Sequence, residues 1–320
     1  MDVLPPLETF ARECLEPLVA LVDPTRRLFW PHLVAAGLLA GLVWARRVRK
    51  SGRPLLAFLF PKDLWLHPSA LLDYRFLFVR AFLGALLVVP VALSAQALSV
   101  PLSLALVRAL GIGPLADASR ATVLVCFSVA AFVTEDFFRW WAHWASHRFA
   151  PLWELHKVHH SAEVLTPFTL NRTHPLEGLL MQTASAVGLG LAAGVCAWLF
   201  HGRIAAWEIL GVEGLAFVWT FAGSNLRHSH VWLSFGPVLE HVFLSPAQHQ
   251  VHHSLDPKHH DRNLGEALAV WDWLFGTLYV TRARERLRFG LSADQQNHRA
   301  TVRSMLLAPM LAAARALVRR

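Results

Sequence analysis

Three shortages narrow the field. The 320 residues contain only three cysteines, Cys14, Cys126 and Cys196, and no CxxC pair. That spacing argues against a disulfide framework and against a cysteine-based zinc site. Charged side chains make up only 16% of the chain, against about 25% in an ordinary globular protein. Tyrosine is nearly missing, with two residues beside 13 Trp and 20 Phe. Gly/Ser linkers and internal repeats are also lacking. Hydrophobic residues reach 55% and mean hydropathy is +0.40. This composition argues against a disordered chain, a collagen-like chain and a typical soluble enzyme.

Histidine is present in excess. Of 18 His, 15 lie between His143 and His260. Packing alone gives an apolar protein no reason to gather imidazoles in one third of its length. The net charge is +8 and the pI about 10.2. The basic residues border apolar runs, with Arg46, Arg47, Arg49, Lys50, Arg53, Lys62 and Arg75 in 46–75 and nine Arg in 281–320. That asymmetry reads as membrane topology, and nucleic acid is not an expected partner.

Four or five segments approach the roughly 20 apolar residues that a membrane crossing needs. They are 28–45, 76–98, a third from Arg120 through Thr134, and the pair 178–200 and 204–222 joined by a tight turn. Residues 99–118 and 302–320 are apolar enough to lie on a membrane surface. By the positive-inside rule the N-terminus lies outside, while the His-rich stretches and the C-terminus are cytoplasmic. The first 27 residues lack the pattern of a cleavable signal. The expected organisation is 1–119 as N-terminal membrane helices, 120–282 as the catalytic region, and 283–320 as a basic tail. The expected fold is an all-α integral membrane protein of four to five transmembrane helices, with a cytoplasmic helical cap over a histidine-rich dimetal site.

The third span continues unbroken through TEDFFRWWAHWASH. His143 and His147 are four apart and leave one helical face. After Pro151, His156, His159 and His160 follow at i, i+3 and i+4. In LSPAQHQVHH, Ser245 is a good N-cap and Pro246 suits the first helical position. There His249, His252 and His253 repeat the spacing. Eight imidazoles on three short helices match the ligand needs of two metal ions, and imidazole suits Fe, Zn, Cu or Ni.

The order HxxxH, HxxHH, HxxHH resembles the fatty acid hydroxylase/sterol desaturase superfamily of membrane di-iron oxygenases. Residues Asn171 to Glu177 (NRTHPLE) resemble its RxHPLE stretch, and Arg227-His228-Ser229 its single-His box. Gly236 to Glu240 (GPVLE), Asn263 to Glu266 (NLGE) and Trp271 to Thr277 (WDWLFGT) also match. The likeness covers roughly 120–282. It implies two iron ions bound by His143, His147, His156, His159, His160, His249, His252 and His253, with His228 as a ninth ligand. It leaves catalytic residues beyond these ligands unidentified. Where the family usually has Asn two residues after the ninth His, this chain has His230, which becomes a candidate ligand or an orienting group. His174 and His241 have similar standing. Asp136, Glu163, Glu177, Glu240, Asp261, Asn263, Glu266 and Asp272 lie near the boxes and are candidates to orient a ligating ring.

The implied activity is O2-dependent oxidation of a lipid or sterol-like C–H bond at the cytoplasmic membrane face. Hydroxylation or oxidative cleavage of a lipid is preferred over desaturation. The chain shows no HPGG motif, no GxGxxG and no Cys cluster, so electrons are expected from a separate protein or a reducing cofactor. A membrane haem site would use isolated axial His, and a zinc protease would need HExxH. A His-lined metal transporter or non-catalytic metal-binding protein is the alternative reading, but it expects imidazoles inside the spans rather than after them.

Overall fold

The computed structural model describes residues 10–11, 14–88, 93–209, 212–292, 295 and 301–318. Those residues are overwhelmingly helical. The longest element is α4 (Arg120–Arg148), capped by Ser119, whose Oγ accepts from the Thr122 N–H. At 29 residues it spans roughly 43 Å, enough to cross a bilayer and carry His143 and His147 beyond it. Helices α1 (Trp30–Val43), α2 (Pro68–Leu83) and α3 (Ala95–Leu110) precede it. Helices α5 (Ala150–His160) and α6 (Pro175–Leu199) follow. Beyond a two-residue ladder, β1 (Glu208–Ile209) with β2 (Val212–Glu213), come α7 (Gly214–Phe221), α8 (Pro246–His252) and α9 (Val302–Val318).

Among the described residues two helices, α4 and α6, are long and apolar enough to cross a membrane. The first two expected spans are shorter as α-helix because each widens into a π-helical turn, Trp44–Val48 after α1 and Gly84–Val88 after α2. Part of the second expected span, 89–92, lies outside the described residues. The expected fifth span, 204–222, is not one helix. Its described part holds the small ladder and then α7, whose eight residues reach only ~12 Å. Glu213 is the physical reason, because its carboxylate accepts from the Ala216 N–H and starts a new helix.

Helix α6 is central. Val123, Phe127 and Ala131 of α4 pack on Ala192, Ala193 and Cys196 of α6. Gly188 lets the two backbones meet, and the Thr134 hydroxyl of α4 donates to its carbonyl at 2.9 Å. A Cβ at Gly188 would sit 2.7 Å from the Thr134 oxygen and the Glu135 Cα. Gly188→Ala is therefore expected to destabilise the fold by about 1–3 kcal/mol, read as a lower midpoint in thermal unfolding. Gly190 and Gly194 admit Leu98 and Leu102 of α3 in the same way. So α3 packs along α6.

The C-terminal helix is likewise no free tail. Met305 of α9 packs against Val158 of α5 and Phe76 of α2. A buried pair braces α5 from the other side. Arg172 donates to Asp73 Oδ1 at 2.7 Å and to the Val158 carbonyl at 3.2 Å. These contacts fix the helix that carries the central His box.

Candidate metal centre

Four elements converge at the end of α4. The helix itself contributes His143 and His147, α5 contributes His156, His159 and His160, α8 contributes His249, His252 and His253, and the loop after α7 contributes His228. The nine imidazoles sort into two groups. One holds His143, His147, His156, His160 and His252, the other His159, His228, His249 and His253, and within each group the donor atoms lie within 4.8 Å of one another. Each HxxHH box is divided between them. In α5 the i, i+4 pair His156 and His160 serves the first group while His159 serves the second. In α8 the division is reversed, with His249 and His253 in the second group and His252 in the first. The groups abut, with the rings of His160 and His253 4.6 Å apart.

In the first group His156 Nε2 lies 3.1 Å from Nε2 of His143, His147 and His160. In the second, His228 Nε2 lies 3.0 Å from His249 and 3.2 Å from His159 and His253. These are not a set of ordinary hydrogen bonds. His143 Nδ1 faces the Leu264 carbonyl at 2.7 Å, and His252 Nδ1 faces the Arg262 carbonyl at 2.9 Å. A carbonyl only accepts, so both Nδ1 atoms carry the proton. His156 Nδ1 faces Glu177 Oε1 at 2.6 Å, and His147 Nδ1 faces Asp261 Oδ1 at 3.1 Å. With those rings neutral, four of the five Nε2 atoms in the first group present lone pairs to one point.

Neutrality has a cause. Burial, then the neighbouring rings, hold His156, His160, His228, His249, His252 and His253 well below the usual imidazole value. Burial also lowers His159 to about 4. Converging buried lone pairs repel unless a cation lies between them. Two ligands about 2.1 Å from one ion are roughly 3.0 Å apart at a right angle and 3.4 Å apart at the tetrahedral angle. The observed edges of 3.0–3.2 Å fall between these two values, so either group could hold a metal ion, the first with five imidazoles and the second with four.

A single loop orients three of the five rings in the first group. Asp261, the Arg262 carbonyl and the Leu264 carbonyl accept from His147, His252 and His143. Asp261 and Asn263 have φ of 57° and 56°, a left-handed conformation that turns alternate groups toward the site. Asn263 touches no imidazole. Its side chain donates to the Gln248 carbonyl and accepts from the Tyr279 N–H, which locks the turn. Asp272 accepts from the Leu264 and Gly265 N–H groups at 2.8 Å. The sequence reading missed the Arg262 and Leu264 backbone carbonyls because no side-chain identity marks them.

Several candidates lie elsewhere. His174 caps α6, where its Nδ1 accepts from the Leu176 N–H and its Nε2 donates to the Leu306 carbonyl of α9. That satisfies both nitrogens and leaves none for a metal. His230 donates to the Phe58 carbonyl at 2.7 Å and packs on the Phe58 ring, outside both groups. His241 donates to the Pro237 carbonyl beside Trp273. Asp136 accepts from the Ala267 and Leu268 N–H groups and from Trp271 Nε1, so it fixes the WDWLFGT segment rather than a ring. Glu163 is exposed, 4.0 Å from His67. Glu240 binds Ser234, Ser245 and Thr281, which anchors the start of α8. His298 lies outside the described residues.

Two cavities open on the site from different sides. One of about 360 Å³ reaches His143, His156, His159, His228 and His249. The other, about 270 Å³, reaches His147, His160, His252 and His253 beside Trp153.

The fatty acid hydroxylase family model matches residues 128–277, the stretch that supplies all nine imidazoles. Human alkylglycerol monooxygenase is 26% identical over 163 residues, which cover 51% of this chain and 32% of that protein. The zebrafish (Danio rerio) alkylglycerol monooxygenase is 28% identical over 147 residues, 46% of this chain and 29% of that protein. An ornithine lipid hydroxylase of Rhizobium tropici is 30% identical over 152 residues, 47% of this chain and 41% of that protein. The matched stretch thus spans well under two thirds of these relatives. No solved structure matches the chain. Residues 128–277, which carry both histidine groups, are thus similar to the fatty acid hydroxylase family and to these relatives.

Proposed function

We propose that the protein is a membrane-bound di-iron oxidoreductase that uses O2 to hydroxylate a C–H bond of a lipid. One observation carries the reading: two adjoining groups of neutral imidazoles direct lone pairs inward at 3.0–3.2 Å edges. Thiolates, which a strong oxidant would attack, are not among them. When bound there, a pair of iron ions supplies the oxidation of the C–H bond by O2. Hydroxylation consumes O2, two electrons and two protons, and yields an alcohol and water. The electrons come from a separate donor protein or a reducing cofactor.

The chain's own part is to hold and shape. Glu177, Asp261 and the Arg262 and Leu264 carbonyls keep the rings in the tautomer that presents Nε2. Glu177→Ala is expected to lower metal affinity about 10–100-fold, read by metal titration of the purified protein. The larger cavity admits the substrate, with Leu28, Leu170 and Met181 as its apolar wall.

We read α4 and α6 as membrane-crossing segments. Exposed apolar side chains on these two helices, such as Val125 and Leu191, support it.

Mass spectrometry of lipid extracts tests the reading. Cells expressing the wild-type chain should contain a lipid heavier by one oxygen atom that cells expressing His156→Ala lack. A product that has lost two hydrogens and gained no oxygen would replace hydroxylation by desaturation. Ion flux without any lipid change would favour the transport alternative.

A further inference from the structure

The cavity that reaches the imidazoles is not the greasy slot that an alkyl or sterol substrate alone would need. Its wall carries the guanidinium groups of Arg26, Arg27, Arg80, Arg139 and Arg227. Only three carboxylates face them, those of Glu16, Glu177 and Glu266. Arg26 is matched locally by Glu16 and Asp23. Arg27, Arg139 and Arg227 are not matched one for one, because all three converge on Glu266. Oε2 accepts from Arg27 at 3.0 Å and from Arg227 at 3.3 Å, and Oε1 accepts from Arg139 at 3.3 Å. Glu135, one helical turn before Arg139, and Asp136 line the neighbouring cavity, whose wall Arg27 and Arg139 share, and their charges, like that of Glu266, favour the charged form of Arg139.

Arg227 is 1% exposed and also donates to the Glu266 and Ser224 carbonyls, so it serves as scaffold. Arg27 and Arg139 differ. Their side chains keep 27% and 28% of their surface, and both line the cavity. Burial, then the charges of Arg227 and Arg139, push Arg27 down to about 10 despite Glu266. On the imidazole side, three guanidinium groups thus share one carboxylate. An oxyanion is their natural complement, since guanidinium pairs with phosphate and carboxylate through two parallel N–H bonds.

We propose that Arg27 and Arg139 bind the anionic headgroup of the substrate, so that the substrate is an amphiphile with a phosphate or carboxylate beside its alkyl chain. Leu28, Leu170 and Met181 receive the first part of that chain. The proposal rests on the reading of this cavity as the substrate side of a metal centre.

The test needs no turnover. The full chain, purified with its metal into phosphatidylcholine nanodiscs, is titrated by calorimetry with dodecyl phosphate, 1-dodecanol and inorganic phosphate, with empty nanodiscs as blank. Dodecyl phosphate should bind at least tenfold more tightly than either of the others. Arg27→Gln and Arg139→Gln should each weaken it about 10–100-fold, the value of one charge-assisted contact. Arg27→Lys, which keeps the charge, should retain a measurable part of the affinity and shows that loss in the Gln variant is not misfolding. Equal binding of dodecyl phosphate and 1-dodecanol would overturn the proposal. So would inorganic phosphate binding as tightly as dodecyl phosphate, which marks a free-anion site, or Gln variants with unchanged affinity. Metal content is measured on the same samples. Two ions per chain with no preference for dodecyl phosphate refutes the headgroup site alone, whereas absence of metal refutes the metal-centre reading.

Discussion

His156→Ala should abolish turnover and remove about one of two metal ions per chain. The ring is the hub of the first group, because its Nε2 lies 3.1 Å from three other Nε2 atoms and no other residue occupies that position. Its loss removes one donor and frees Glu177, whose carboxylate then faces the gap without the Nδ1–H that held it. Metal binding and local order are linked, so the remaining four rings lose much of their affinity as well. His228→Ala makes the same test on the second group, where that ring contacts His159, His249 and His253. Elemental analysis beside product assay checks both. The telling pattern is that each variant keeps roughly one ion. Loss of both ions from either variant would show that the two groups act as one cooperative site. Full metal content in both would refute the ligand assignment.

The spacing HxxHH shows that three rings share a helical face, but not that they serve two centres. The i+3 ring lies about 60° to one side of i about the axis and the i+4 ring about 40° to the other. Which pair goes to which ion depends on how α5 and α8 cross, a tertiary fact. The acceptors that set the tautomers were only half legible. Glu177 and Asp261 announce themselves as carboxylates near the boxes, whereas the Arg262 and Leu264 carbonyls belong to every backbone and gain their role from two left-handed residues. His174 and His230 are the reverse case. Their chemistry suits a metal, but a helix N-terminus and the Phe58 carbonyl claim them. In the fold, α4 and α6 follow from their apolar length and caps. The segment 204–222 is apolar enough to cross a membrane, but Glu213 as a helix start divides it.

Glu266→Gln should lower stability by about 3 kcal/mol. One carboxylate answers Arg27, Arg139 and Arg227, which come from three separate parts of the chain. Gln keeps the shape and one acceptor but removes the charge, leaving three neighbouring guanidinium groups with no ionised partner in common. Breaking a buried pair by removing one member costs about 3–5 kcal/mol, since the remaining charge is uncompensated. Side-chain exposure of 22% for Glu266, toward the cavity, places the expectation at the lower end. The three arginines hold Glu266 well below the ordinary carboxylate value, against the opposing effect of burial. A depressed carboxylate contributes stability above its unfolded pKa, and that contribution is lost as pH falls through the folded value. Wild type and Glu266→Gln should thus differ most in melting temperature from about pH 5 upward and converge under strong acid, where the wild-type carboxylate also loses its charge. Adding Arg27→Gln to Glu266→Gln removes one of the unmatched cations and should recover part of the loss, a coupling that two independent surface contacts would not show. A Glu266→Gln protein that melts with wild type at neutral pH would mean that water or a bound anion already neutralises the cluster, and the carboxylate would then be dispensable.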